Sequence, residues 1–507
     1  VTKARTPLEK VEVYRIKVRA TTAQNKPVEA VATGKEILAL LGVTFPKTPA
    51  PSDIQQAMME VNNIIGDRDI RSLFELPEIT ERKQIAIVDL TMDISPAAYL
   101  SGLPLYPLLI ALTVKCSIQY GNAERSPHCY ASYGMLMCHL AKAVSAGVAY
   151  GHLAQQLLSR CKTQTARADT LVVVGMFLAH RQAHIKDSLP ILRDAYTAGI
   201  EVGNLAAAGY SAAIVCSNAF WCAQPLSELE QEITTYSEEL KKLNLVTTAN
   251  WCSIYQQSIL NLLTETENAH ILFSDRSKEA AFLSKLRICL DLIDLYFFFL
   301  KKLVLAYLFG EITSTQAQAV EVRNYLGVLP SVVEEPVFYF YDSLAALATL
   351  ESAKEETSEA TVKKELEEKE ELEEESTNKN ISPVEILARV KENQTQLRQN
   401  WADHAPMNHR HKVDLVEAEK CRVLGQRAAA IELYDQAIAA AKSNGYLQEE
   451  ALANELAAKF YLDWGREKVA IGYMQEAYYG YVRWGAEGKV AHLESTYPHL
   501  LNTITQP

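Results

Sequence analysis

A chain of 507 residues, 48% hydrophobic and 22% charged, is too long for one compact core. Such cores stop growing at roughly 250–300 residues, so the chain folds as several domains or as a repeat array. Its formal net charge of −12 argues against a nucleic-acid binder, and its nine scattered cysteines, with no CxxC pair, point to a reducing cytosolic compartment.

The first residue is Val1, and no charged stretch followed by an apolar run opens the chain. No signal peptide is therefore expected, and the sequence reads as a piece of a longer protein. Helical periodicity dominates throughout. Residues 14–42 read as helix–turn–helix with the turn at Asn25-Lys26-Pro27, and the Pro-rich stretch 44–52 leads into a helix capped by Ser52. Ser95 is expected to cap a helix that begins at Pro96, where a missing N–H costs nothing. His180 and His184 are expected on one helix face in structural roles. Ser227-x-x-Glu230 reads as a capping box. LIDLYFFFLKKLVLAYLFG (292–310) is the most apolar run, but Asp294 and Lys301-Lys302 break it. It falls short of the ~20 uninterrupted residues of a membrane span and reads as a buried helix. A weaker helix–turn–helix follows over 305–327, turning at Gly310.

Residues 351–376 hold twelve acidic residues and four lysines. The stretch 351–382 cannot bury enough apolar surface to fold alone, and reads as an acidic low-complexity insert or linker. Ser382-Pro383-Val384-Glu385 then forms a capping box for the next helix. WADHAPMNHRHK (401–412) gathers His404, His409 and His411, weak metal candidates because the i, i+2 spacing of the last two does not share a helix face. The plainer reading is a helix start after Pro406, with one histidine capping and another exposed.

The C-terminal part repeats. Sliding 424–441 by 40 residues onto 464–481 places Leu424-Gly425 on Trp464-Gly465, Ala430 on Ala470, Leu433 on Tyr473, Tyr434 on Met474, Ala437 on Ala477, Ile438 on Tyr478 and Ala441 on Tyr481. These positions trace one helix face, and a glycine stands at each turn, where a left-handed backbone costs least. The preceding helix repeats more loosely: Ala418 falls on Ala458 and Cys421 on Tyr461, but Leu415 meets Glu455. The fold class is all-α, tetratricopeptide-like helix–turn–helix repeats stacked as an α-solenoid. The expected division is a helical array over 1–350, the insert 351–382, and C-terminal repeats over 383–507. On the helix 466–484, Tyr473, Tyr478 and Tyr481 are expected in the core. Tyr479 and Trp484 are left as a possible contact surface.

Catalytic motifs are missing. ATGKEIL (32–38) lacks the first glycine of a P-loop and the Ser/Thr after Lys35, and there is no kinase loop, H-R-D, D-F-G or GxSxG. No catalytic residue and no cofactor is expected in this chain.

The segments WADHAPMNHRHKVDLVEAEKCRVLGQ and EEALANELAAKFYLDWG, with YVRWGAEGKVAHLESTYPHLL, resemble the large, mostly cyanobacterial-type multidomain signalling proteins. In that family a Ser/Thr protein kinase and an AAA/STAND-type ATPase precede a helical repeat region, followed by a GAF domain and a sensor histidine kinase. Earlier stretches such as GKEILALLGVTFP and PVFYFYDSLAAL are similar to the same repeat region, while 264–285 and the acidic insert depart from it. The resemblance implies a non-catalytic scaffold or sensor that relays state between the ATPase module and the histidine-kinase output. ATP and Mg would then belong to domains outside this chain. Its partners would be those flanking domains, or a protein or small-molecule signal, with no nucleic acid and no membrane. Two other readings stay open: the repeat arm of a STAND-type transcriptional regulator, and an α-helical enzyme hidden in 100–345.

Overall fold

The computed structural model describes residues 6–24, 26–266, 268–273, 275–289, 291–366 and 382–505. The chain gathers into two compact units, one of residues 1–182 and 190–211, the other of 183–189 and 212–507. The boundary expected at 351–382 falls inside the second. Among the described residues there is no strand, only a bridge pairing Glu78 with Asn122.

The first unit contains α1 (Pro7–Ala23), α2 (Pro27–Leu40), α3 (Pro51–Ile65), α4 (Arg82–Leu100), α5 (Tyr106–Tyr120), α6 (Ser126–His139), α7 (Val144–Leu157) and α8 (Gln164–Val173). The chain passes between the units within α9 (Ser188–Val202) and α10 (Leu205–Trp221). The second unit continues with α11 (Leu226–Lys242), α12 (Val246–Leu263), α13 (Arg276–Cys289), α14 (Leu292–Leu308), α15 (Ile312–Arg323) and α16 (Glu334–Leu366). It ends with α17 (Pro383–Leu397), α18 (Pro406–Val423), α19 (Arg427–Ser443), α20 (Leu447–Asp463), α21 (Glu467–Trp484), α22 (Glu487–Thr496) and α23 (Pro498–Thr505). Sequential helices pack as hairpins, among them α6 with α7, α11 with α12, α18 with α19 and α20 with α21. The fold is thus an all-α array of helix–turn–helix units.

The repeat read from the sequence is present in space. Ala430, Tyr434, Ala437 and Ala441 are buried on α19, and Ala470, Met474, Ala477 and Tyr481 occupy the same positions on α21. Gly425 and Gly465 both turn with positive φ, +74° and +72°. Tyr473 and Tyr478 are only half-buried, their hydroxyls donating to Asp435 and Glu494 at 2.7 and 2.9 Å. A phenol at such a position packs its ring and keeps its oxygen wet.

Three capping expectations give way. Pro96 lies inside α4, not at its start. The helix runs through because Thr91, Ser95, Ala97 and Ala98 are all buried there, and Ser95 Oγ donates to Thr91 O at 2.8 Å. α3 begins at Pro51 with Ala50 as its cap, so Ser52 is inside the helix. α11 begins at Leu226, and Glu230 accepts instead from Thr234 and from Gln256 of α12. The capping box at Ser382 and Glu385 forms as expected. Of the insert, 351–366 continues α16, and 367–381 lies outside the described residues. Asn25, in the first expected turn, lies outside them too.

The run 292–310 is the buried helix α14, ending at Gly310 with φ +77°. Among the described residues no helix is long and apolar enough to cross a membrane.

Candidate functional site

The C-terminal array presents two faces of different chemistry. The first helices of its repeats, α18, α20 and α22, bury charged and amide side chains where a repeat core is ordinarily apolar. Moving along them by the same 40 residues brings Asn408, Gln448 and Gly488 into one column, and His409, Glu449 and Lys489 into the next.

The first column meets the ends of earlier helices of the same unit. Asn408 Nδ2 donates to Ala183 O at 2.8 Å, and Gln448 Nε2 to Trp221 O at 2.8 Å, at the last residue of α10. At the third position a side chain is impossible. A Cβ on Gly488 would overlap Thr264 O, just past α12, and stand 3.0 Å from Asn261 O. Beside it Lys489 donates to Leu308 O, at the end of α14. Apart from Ala183, which lies in the bend after a short 3-10 turn, these carbonyls are among the acceptors a helix leaves unsatisfied at its C-terminal end, where the dipole also favours a donor or a cation. Successive helix ends of the earlier array are thus met by successive repeats of the later one.

In the second column His411 and Lys412 of α18 both reach Glu449 of α20, Lys412 Nζ standing 2.8 Å from Glu449 Oε2. Lys412 also donates to Asn408 O at 2.9 Å. The Tyr446 ring is stacked between His184 and His411, at 5.0 and 4.8 Å, and its hydroxyl donates to Asn408 Oδ1 at 2.6 Å. Burial lowers the His411 and Lys412 pKa values. Burial alone would raise that of Glu449, but Lys412 and His411 outweigh it and hold the carboxyl below its usual range.

A second network surrounds Glu455. It accepts from Lys459 at 2.7 Å, Lys489 at 3.1 Å and Tyr481 at 2.9 Å. The two lysines overcome the effect of burial and bring its pKa to about 2. Lys489, 0% exposed, is pushed down to about 8 by burial. Its neighbour His492 is pushed down to about 4 by burial and by Lys489. A third buried cation, Lys301 of α14, lies against three rings, its Nζ 3.5, 3.6 and 3.9 Å from the centres of Phe220, Trp221 and Tyr255. Burial holds its pKa well below that of a free lysine. These charges are paired or caged in a dry interior, where an unpaired charge is costly.

The residues named from sequence fall apart on this frame. His404 is half-buried in the turn before α18, and His409 is buried edge-on to Trp401 at 5.6 Å. His411 is buried on Glu449, so neither α18 histidine caps the helix or is exposed; the N-cap is Ala405. Among the described residues no three His, Cys, Asp or Glu side chains come together as a metal would need. His184 precedes a short 3-10 turn in extended backbone and does not share a helix with His180. Tyr479 is 46% exposed, but Trp484 is 1% exposed with its ring 5.7 Å from Phe220, which makes it a core residue and removes it from any contact surface. Sequence reading passed over Glu455 and Lys489. The signal was there: a mismatch of the repeat alignment, Leu415 against Glu455, marks the buried carboxylate.

The other face is open. Trp464, at the end of α20, carries the guanidinium groups of Arg427 and Arg466, each 5.1 Å from its ring centre. Behind it Tyr461 and Tyr473 continue the stack at 6.1 and 5.3 Å.

No family model matches the chain. A stretch of 151 residues, 29% of the chain, is 26% identical to the hybrid signal transduction histidine kinase G of Dictyostelium discoideum, and the match spans 4% of that protein's length. Among solved structures, the chain is similar to a Rap protein crystallised with competence and sporulation factor. The identity there is 10% and the TM-score 0.38, over 96% of this chain and 99% of that one. It is also similar to a circular tandem repeat protein with novel repeat topology, at 9% identity and TM-score 0.16, over 98% and 94% of the two chains.

Proposed function

We propose that the chain is a non-catalytic helical-repeat scaffold within a multidomain signal-transduction kinase, relaying state between an ATPase module and a histidine-kinase output. The observation that carries this reading is the 151-residue likeness to a hybrid histidine kinase, set on an array of helix–turn–helix units. Stacked repeats give an extended surface with few independent parts, suited to holding partners in fixed relation. The buried charges support a scaffold more than an enzyme. His411, Lys412, Glu449, Glu455 and Lys489 are each at most 2% exposed and are spent on one another and on helix ends. The nine unbridged cysteines are in keeping with a cytoplasmic setting.

The relay works through the seam between the two arrays of the second unit. The donors that meet it, Asn408, Gln448 and Lys489, stand on helices tied together by buried charge pairs, which are costly to leave half-formed, so the seam favours closed or open over intermediate states. The test is phosphorylation of the intact parent kinase carrying Glu449→Gln. Altered phosphate incorporation with unchanged ATP binding is expected. Wild-type phosphorylation in a protein whose seam is demonstrably loosened would refute the relay.

A further inference from the structure

Two cavities of the second unit meet at the end of α18. One, of about 640 Å³, lies along α17 and α18 and is lined by Leu387, Val390, Lys391, Arg398, Lys420 and Leu424 among others. The second, of about 190 Å³, lies between the Gly425 and Gly465 turns and includes Arg422, Arg427, Phe460 and Trp464. Leu424 and Gly425, adjacent in the chain, join them. Together the linings carry five cations (Lys391, Arg398, Lys420, Arg422, Arg427) and two carboxylates (Glu417, Asp463). Both carboxylates are already engaged. Glu417 is paired with Lys420, and Asp463 stands 3.8 Å from Arg422, which also holds Glu419.

Among the described residues that leaves Lys391, Arg398 and Arg427, joined by Arg466 on the far side of Trp464, as a stripe of cations without carboxylate partners on a protein whose net charge is −12. Lys391, Arg398, Arg427 and Arg466 are all exposed, and among the described residues none of them is ion-paired with a carboxylate. Arg427 and Arg466 are not idle. Each lies over the Trp464 ring, which orders the side chain. A guanidinium stacked on an indole keeps its in-plane N–H donors free, and their fork matches a carboxylate. Apolar surface runs beside the charges, in Leu387, Val390 and the 46%-exposed Leu424.

We infer that this stripe is the docking surface for an acidic amphipathic segment of a partner protein. Its apolar side chains would sit on Leu424 and the α17–α18 groove, and its carboxylates on Lys391, Arg398, Arg427 and Arg466. Charge complementarity selects the occupant. A basic or neutral helix would leave four cations unanswered, and a small anion would not use the apolar floor. The inference stands apart from the relay reading, because it concerns the open face and needs no seam to move.

The test is fluorescence anisotropy of a labelled peptide, leucine at i, i+3, i+4 and i+7 and glutamate elsewhere, titrated with the full chain. Saturable binding is expected, weakening as salt is raised. The variant K391Q/R398Q/R427Q/R466Q should bind about tenfold more weakly, the combined effect of four modest exposed pairings. All four positions are exposed, and an unchanged circular dichroism melt shows that the variant is folded. Three results would each overturn the inference: equal binding by the variant, equal binding of a peptide with serine for leucine, or displacement by inorganic phosphate at the peptide's own concentration.

Discussion

Replacing Glu449 by glutamine removes the anion that two buried groups of α18 share. Lys412 Nζ lies 2.8 Å from that carboxylate, and both side chains are 2% exposed. With an effective dielectric near 20, a unit pair at this separation attracts by roughly 6 kcal/mol. Burying the two ions cost several kcal/mol each, so little of that attraction is net gain. The asymmetry matters more. After Glu449→Gln the ammonium keeps only uncharged neighbours: Asn408 O at 2.9 Å, His411 Nε2 at 3.2 Å, the Tyr446 ring and the new amide. Removing one partner of a buried pair costs about 3–5 kcal/mol, whereas an apolar pair of similar volume is often neutral or better. Lys412→Met/Glu449→Met should therefore be more stable than Glu449→Gln. All five tryptophans, 221, 251, 401, 464 and 484, lie in the second unit, so tryptophan emission during urea unfolding reports on that unit. The single variant should lower the unfolding free energy by about 3–5 kcal/mol, with the double variant recovering most of it. A single-variant loss under about 1 kcal/mol, or a double variant as weak as the sum of its parts, would refute the view that paired charge holds α18 to α20 behind the seam.

Acid should loosen the same unit in two steps. The folded pKa of His492, about 4, lies below its ordinary 6.5, so the unfolded chain binds more protons and stability is lost as pH falls from 6.5 towards 4. Glu455, at about 2 against 4.5, adds a second loss between those values. His411 and His184, whose pKa values are also lowered by burial, add to the first window, so His492→Gln should reduce that window of a stability-versus-pH curve without abolishing it, and leave the second. In the first unit, a Cβ on Gly134 of α6 would stand 2.5 Å from Gly147 O of α7, a backbone atom. Gly134→Ala should cost about 1–3 kcal/mol, read as a lowered melting midpoint in circular dichroism. The two Trp-Gly pairs should separate cleanly: Trp484→Ala costs about 3–5 kcal/mol as a core truncation, while Trp464→Ala costs less in stability and weakens the acidic peptide instead.

The all-α class, the 40-residue repeat and its glycine turns were legible because they are written in local spacing. Ala430, Ala437, Ala470 and Ala477 recur where a helix face must be small, and the structure buries all four. What escaped was whatever a distant segment decides. Pro96 carries every local mark of a helix start, yet the buried residues on both sides of it keep α4 unbroken. Ser227 and Glu230 have capping-box spacing, but α12 offers Gln256 to the glutamate. Trp484 reads as an edge residue of α21 until Phe220, far upstream, closes over it.

The same logic explains why the candidate site was hardest to see. Charged residues on a helix predict solvent, and Lys412, Glu449, Glu455 and Lys489 would be placed there by any local rule. They are buried because each has a partner supplied by another repeat or by the end of an earlier helix. A position repeated every 40 residues therefore need not hold one residue type. Asn408, Gln448 and Gly488 differ in size and chemistry, yet each is suited to the helix end it meets, the first two by donating an amide and the last by having no side chain at all. Apolar faces make repeats stack on any neighbour of the right shape. Column-specific polar matches are what make one array accept the other in a single alignment, since a slip by one repeat would set Gln448 against Thr264, where only a glycine fits.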